Sequence, residues 1–214
     1  MKIVCFGDSI TYGSLVGRDE RYFGCLEKMF PAYTFVNAGV AGNTSSQGRE
    51  RFDQDVLVHH PDVCVIFFGM NDTRCDDGVD CAAVPREQYR DNLLHFGTVL
   101  QERGCKLIYC TIHNVIEGDA AQYYYARHPQ ANYQNPLGIN AWLDEYSSIV
   151  REVAGTLGAE VADVNRVFKD FIANGGSLGE VLLTVENSGM DDGVHPNAAG
   201  HRMIAETIEN SLRL

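Results

Sequence analysis

No apolar stretch in the 214 residues approaches the roughly 20 needed for a membrane-spanning helix. Lysine and arginine never cluster, and 17 of them against 29 acidic residues leave a net charge of -12. Nucleic acid and anionic membrane surfaces call for concentrated positive charge, so neither is expected as a partner. Linker-like composition, low-complexity segments and internal repeats are also missing. One domain over residues 1–214 is therefore expected, a length that buries roughly 70% of the unfolded surface. The seven cysteines are odd in number and irregular in spacing, which excludes a disulfide framework. Cys5, Cys64, Cys105 and Cys110 lie in or beside apolar strand candidates, where a reduced thiol acts as a small hydrophobe. Cys75 and Cys81 bracket an acidic loop. They could pair or help hold a metal, but their spacing fits no zinc pattern and an exposed loop is expected. Met1 directly precedes the first strand candidate and leaves no room for a signal peptide, so a cytoplasmic location is expected.

What is present is an alternation of apolar, β-branched runs with amphipathic stretches. Strands are predicted at 2–6, 34–37, 63–68, 106–111 and 160–164, and helices at 20–30, 46–57, 86–103, 139–157 and 198–212. Pro85 suits a first helical turn, Gly104 a helix stop, and Asn197 a cap for the last helix. Nearly all-apolar strands, each followed by a helix, indicate a parallel five-stranded sheet covered on both faces, an open three-layer αβα fold. One long irregular stretch, about 113–136, follows the fourth strand at the end where ligands bind in such sheets.

Four separated segments end strands or loops on that side. Gly7-Asp8-Ser9 follows the first strand, Asn37-Ala38-Gly39-Val40-Ala41-Gly42-Asn43-Thr44 the second, and Gly69-Met70-Asn71-Asp72 the third. Asp192-Gly193-Val194-His195-Pro196 precedes the last helix. Together they supply what acyl transfer to a serine requires. Ser9 is the candidate nucleophile and His195 its general base and acid, while Asp192 fixes the imidazole tautomer. The Ser9 amide, the Gly42 amide and the Asn71 side-chain amide are the candidate oxyanion donors.

These blocks resemble the SGNH (GDSL-type) hydrolases, esterase- and lipase-like enzymes whose Ser, Gly, Asn and His correspond in order to Ser9, Gly42, Asn71 and His195. Asp192 matches the acid of the family's Asp-x-x-His block, and the resemblance extends from Lys2 to the final helix. It implies a flavodoxin-like fold and a serine hydrolase acting on carboxylic esters or thioesters, with no metal or cofactor. The block after strand four departs from the pattern: Thr111-Ile112-His113-Asn114 lacks the family's prolines.

Competing readings are open at several positions. Asp191 is the rival to Asp192. Gly175-Gly176-Ser177-Leu178-Gly179 fits a nucleophile elbow in letters, but no buried strand precedes it, so Ser177 is a loop residue. Asp72 suits a loop hydrogen-bond acceptor and, with Asp8, is also a candidate substrate contact. Tyr123, Tyr124, Tyr125 and His128 in the long loop are further candidate substrate contacts, and His113 shares that loop; tyrosines there could stack on sugar rings or wall an acyl pocket. The leading expectation is an esterase for small acyl or acetyl esters, possibly on a carbohydrate. The alternatives are a thioesterase or lysophospholipase using the same residues, and a binding protein without turnover.

Overall fold

The computed structural model describes residues 1–76, 78–117 and 128–213. Five parallel strands form one sheet in the order β2-β1-β3-β4-β5. They are β1 (Lys2–Gly7), β2 (Thr34–Gly39), β3 (Val63–Phe67), β4 (Lys106–Cys110) and β5 (Glu160–Ala162). The central strands β1, β3 and β4 are buried almost throughout, as their unbroken apolar runs require of a sheet with two covered faces.

Among the described residues there are nine helices, five between strands and four after β5: α1 (Ser9–Tyr12), α2 (Tyr22–Met29), α3 (Ser45–Asp55), α4 (Arg86–Gln101), α5 (Ile139–Leu157), α6 (Val164–Ala173), α7 (Leu178–Val181), α8 (Val185–Ser188) and α9 (Ala198–Leu212). Helices α3, α4 and α5 pack side by side as one layer, and α2 against α9 as the other. The first layer is anchored by Phe52, Phe96, Trp142 and Tyr146, all essentially without exposure, and Phe6, Phe52, Phe68 and Phe96 form a ring cluster with centroids 4.9–6.0 Å apart. Burying each such side chain contributes about 1.5–3 kcal/mol.

The predicted elements occur, with boundary differences that have local causes. Strand β5 stops at Ala162, two residues short of the prediction, because the Asp163 side chain caps α6 by accepting from the Arg166 amide at 3.3 Å. Helix α3 ends at Asp55 and a single 3₁₀ turn, Leu57–His59, leads into β3. Ser177 is exposed and caps α7 in a capping box with Glu180, as a loop residue would. No helix among the described residues is long and apolar enough to cross a membrane.

The carboxyl end of β1 is built for close approach. Gly7 pairs with Gly39 of β2, and α1 rests on both. A methyl group on Gly7 would lie 2.2 Å from Thr11 Oγ1 and 2.4 Å from the Phe67 carbonyl; one on Gly39 would lie 2.2 Å from the Tyr12 amide. Only glycine lets the turn carrying Ser9 sit this low on the sheet. Gly7→Ala is therefore expected to lower unfolding stability by roughly 3 kcal/mol through overpacking, read from chemical denaturation of the variant beside wild type.

Candidate active site

Ser9 is the first residue of α1, and the Asp8 carboxylate caps that turn by accepting from the Ile10 amide at 2.9 Å. At the other end of the chain, Asp192 Oδ1 accepts from the amides of Val194 at 2.9 Å and His195 at 2.5 Å, folding 192–195 into a tight turn. The same carboxylate receives His195 Nδ1–H on Oδ2 at 2.8 Å. With Nδ1 protonated, Nε2 is the free acceptor, and the Ser9 hydroxyl donates to it at 3.0 Å. All three residues are 6–7% exposed, enough to meet a substrate from one side. Burial pushes the Asp192 carboxyl upward, but the His195 hydrogen bonds and charge outweigh it and hold the acid at about 2. Asp192 is thus a fixed anion facing the imidazole. Among the described residues, His195 Nδ1 donates to Asp192 and not to the adjacent Asp191.

The His195 turn is clamped from two sides. The Leu183 amide donates to the His195 carbonyl at 2.9 Å, and the Ile116 amide to the Gly193 carbonyl at 3.0 Å. His113, read from sequence as a loop residue near substrate, is instead fully buried with Nε2–H donating to the Val194 carbonyl at 2.9 Å. Burial holds its pKa down at about 4, so it is neutral at neutral pH and acts as a brace.

Asn71 joins the loops that follow β1 and β2. Its Nδ2 donates to the Asn43 carbonyl at 3.1 Å and, more weakly, to Asp8 Oδ2 at 3.4 Å. Gly42 occupies an exposed turn at φ +79°, where a side chain would meet nothing but would strain the backbone. Among the described residues, neither the Ser9 nor the Gly42 amide donates a hydrogen bond within the chain. Two unpaired amides and an anchored side-chain amide, arrayed near a hydroxyl on an imidazole, suit the developing negative charge of a tetrahedral adduct.

The proposed substrate contacts fare differently. Asp8 and Asp72 are 1% and 0% exposed, so neither presents its carboxylate to a substrate. Asp72 Oδ1 accepts from both the amide and the hydroxyl of Ser45, at 2.9 and 2.5 Å, which ties the start of α3 to the Asn71 loop. That is the loop-acceptor role. His128 is buried with Nδ1 3.0 Å from the Tyr133 hydroxyl, which in turn accepts from the Cys75 amide at 3.1 Å. Tyr133 therefore supports the loop after Asn71, and the sequence offered no way to tell it from its neighbouring tyrosines. Tyr123, Tyr124 and Tyr125 lie outside the described residues. Cys75 and Cys81 are free thiols, with the Cys81 amide donating to Cys75 Sγ at 2.8 Å.

A parallel open sheet that brings serine, histidine and aspartate together at its carboxyl rim is the architecture of a serine-dependent ester hydrolase. Residues 5–203 match the GDSL-like lipase/acylhydrolase family, and the chain belongs to that family. It is a carboxylic ester hydrolase of the SGNH type. Among curated relatives, it is 30% identical over 220 residues to the "Uncharacterized lipoprotein YqeF" of Bacillus subtilis (strain 168), covering 97% of this chain and 88% of that protein. It is 27% identical over 227 residues to an acetylxylan esterase of Geobacillus stearothermophilus, covering 97% and 91%. Among solved structures, a variant of Axe2, an acetyl-xylooligosaccharide esterase from the same organism, superposes with TM-score 0.77 at 22% identity over 100% of this chain and 94% of that one. The acetyl xylan esterase AlAXEase gives TM-score 0.73 at 22% identity over 99% and 100%. The reading as a binding protein without turnover is thereby set aside.

Burial, the largest influence on both, raises the Asp8 carboxyl to about 7 and the Asp72 carboxyl from 3.8 to about 6. Between those two values for Asp72 the folded protein holds a proton that the unfolded chain has released. Its contribution to stability is therefore present at low pH and is lost as pH rises through about 6. Asp72→Asn keeps an acceptor for Ser45 and removes this titration. Relative to wild type, the variant should gain on the order of 1 kcal/mol per pH unit as pH rises from about 4 to about 6, measured by denaturant unfolding across that window.

Proposed function

We propose that Ser9, His195 and Asp192 form the catalytic triad of an esterase that removes acetyl groups from a carbohydrate. The observation that carries the chemistry is the unbroken relay from Ser9 Oγ through both nitrogens of His195 to Asp192. His195 Nε2 takes the hydroxyl proton as Oγ attacks the ester carbonyl, and Asp192 stabilises the imidazolium that results. The oxyanion settles between the amides of Ser9 and Gly42 and the Asn71 Nδ2–H. Collapse of the adduct expels the sugar alcohol, which receives the proton from His195. Water then attacks the acetyl-enzyme by the same route, releasing acetate and restoring the serine.

Several features support a neutral sugar ester as substrate. The G. stearothermophilus relative matched over nearly its whole length is named an acetylxylan esterase. The net charge of -12 opposes anionic headgroups. Tyr12 and Val40, on the segments that carry Ser9 and Gly42, are 52% and 39% exposed and offer apolar surface for a sugar ring beside the oxyanion donors.

Two measurements test this. Ser9→Ala and Asp192→Asn should each lower kcat on p-nitrophenyl acetate by about 10⁴-fold or more with circular dichroism unchanged, whereas Asp191→Asn should keep most of the activity. A damaging Asp191→Asn with a mild Asp192→Asn would reverse the assignment of the acid. In a panel of p-nitrophenyl acyl esters, acetylated xylo-oligosaccharides and acyl-CoA thioesters, kcat/KM should favour acetyl over octanoyl by at least about tenfold and should be appreciable on the acetylated sugar. Preference for long acyl chains or for the thioester would instead identify a lysophospholipase or thioesterase.

A further inference from the structure

One side chain of α3 reaches back across the ends of two strands. Arg51 is half-enclosed, its side chain 15% exposed, and its guanidinium lies 4.8 Å from the centroid of the Phe6 ring and 6.0 Å from that of Phe68. From that position it donates through Nη2 to the Gly7 carbonyl at 2.8 Å, through Nη1 to the Ala38 carbonyl at 2.8 Å, and through Nε to Asn43 Oδ1 at 2.7 Å. Nη1 also pairs with Asp55 at 2.8 Å. Three backbone segments are thus held by one rigid plane: the end of β1, the end of β2 and the loop leading into α3.

Those are the segments that carry the proposed oxyanion donors. Gly7 lies two residues before Ser9, and Asn43 immediately follows Gly42. The carbonyl of Asn43 is the acceptor that anchors Asn71 Nδ2. Each donor therefore stands within two residues, or one hydrogen bond, of a group that the guanidinium holds. Other contacts each join only two of these points: the Val40 amide ties the β2 exit to the Gly7 carbonyl at 3.1 Å, Asn37 Nδ2 donates to the Thr11 carbonyl at 2.9 Å, and the Asn43 amide closes its loop on the Val40 carbonyl at 3.2 Å.

We propose that Arg51 is a positioning residue that sets the mutual spacing of the Ser9, Gly42 and Asn71 donors; this rests on the oxyanion reading given above. Oxyanion stabilisation depends on donors already in place when charge develops, because reorganising them costs what the interaction would return. A displacement of about 1 Å is enough to lose on the order of 100-fold in rate. A guanidinium directs its donors along fixed in-plane vectors, whereas an ammonium on a flexible stem cannot reach three acceptors in those directions. Lysine would keep the charge and lose the geometry.

The experiment measures kcat and KM of Arg51→Lys, Arg51→Met and Asn43→Ala on p-nitrophenyl acetate, with active sites counted by end-point titration with a fluorophosphonate and melting temperature recorded alongside. Counting sites removes unfolded protein from the rate. Arg51→Lys and Arg51→Met should lower kcat per titrated site by about 10- to 100-fold with KM within about threefold of wild type. Asn43→Ala, which loses one of the three loop acceptors, should fall by about 3- to 10-fold. Wild-type kcat per titrated site in Arg51→Lys would overturn the proposal whatever the melting temperature does; if neither Arg51 variant folds, Asn43→Ala decides by the same readout. A Ser9→Ala protein that retained activity would instead remove the underlying reading, so the two failures are distinguishable.

Discussion

The hydrogen bond between the Ser9 hydroxyl and His195 Nε2 joins residues 186 positions apart, and every other feature of the site exists to make that contact productive. Ser9 needs a rigid seat at the end of an interior strand, provided by β1 between β2 and β3. His195 needs its other nitrogen occupied by an anion, provided by Asp192 inside the same tight turn. Parallel strands release their following loops at one rim, where the Ser9 turn and the Asn71 loop sit, and the segment before α9 brings the histidine turn to the same place. Without that topology the histidine turn and the serine turn would emerge on opposite sides of the core.

Around this contact lie several buried polar groups that brace loops. His113 holds the Val194 carbonyl, Asp72 holds the start of α3, and Tyr133 holds the amide of Cys75. Asn71 ties the β1 exit to the β2 exit. Burying such groups is costly, and the hydrogen bonds they make here convert irregular backbone into fixed geometry. Rim loops of an α/β sheet lack the repeating hydrogen bonds of strands and helices. Side chains supply the missing constraints, and Arg51 supplies several at once.

The raised pKa values of Asp8 and Asp72 belong to the same logic. The Asp8 carboxyl lies beside the Asn71 amide and the Asp72 carboxyl on Ser45, both excluded from water and close enough to repel one another. Their burial costs stability as they ionise, a cost accepted where a loop must be held at a defined distance from the reacting centre. His201, whose pKa burial lowers to about 3, similarly stays neutral and accepts from the Tyr22 amide with Nδ1, joining α9 to α2 below the serine.

Much of this was legible in the chain itself. Apolar runs of strand length, alternating with helix-length amphipathic segments, indicate parallel strands with helices over both faces, because such strands must be buried on both sides. The four short blocks pointed to the chemistry, because serine, glycine, asparagine and Asp-x-x-His stand in the order that resembles the SGNH hydrolases. Spacing could not decide which polar side chains face the substrate and which are sealed beneath it. Asp8 and His113 look like site residues in sequence and sit as buried supports, because their surroundings come from segments far away in the chain. Arg51 is one charged residue among many on an amphipathic helix until the sheet brings Gly7, Ala38 and Asn43 within its reach. Local periodicity depends on neighbours in sequence; burial and the sharing of a guanidinium depend on neighbours in space, and only folding creates those.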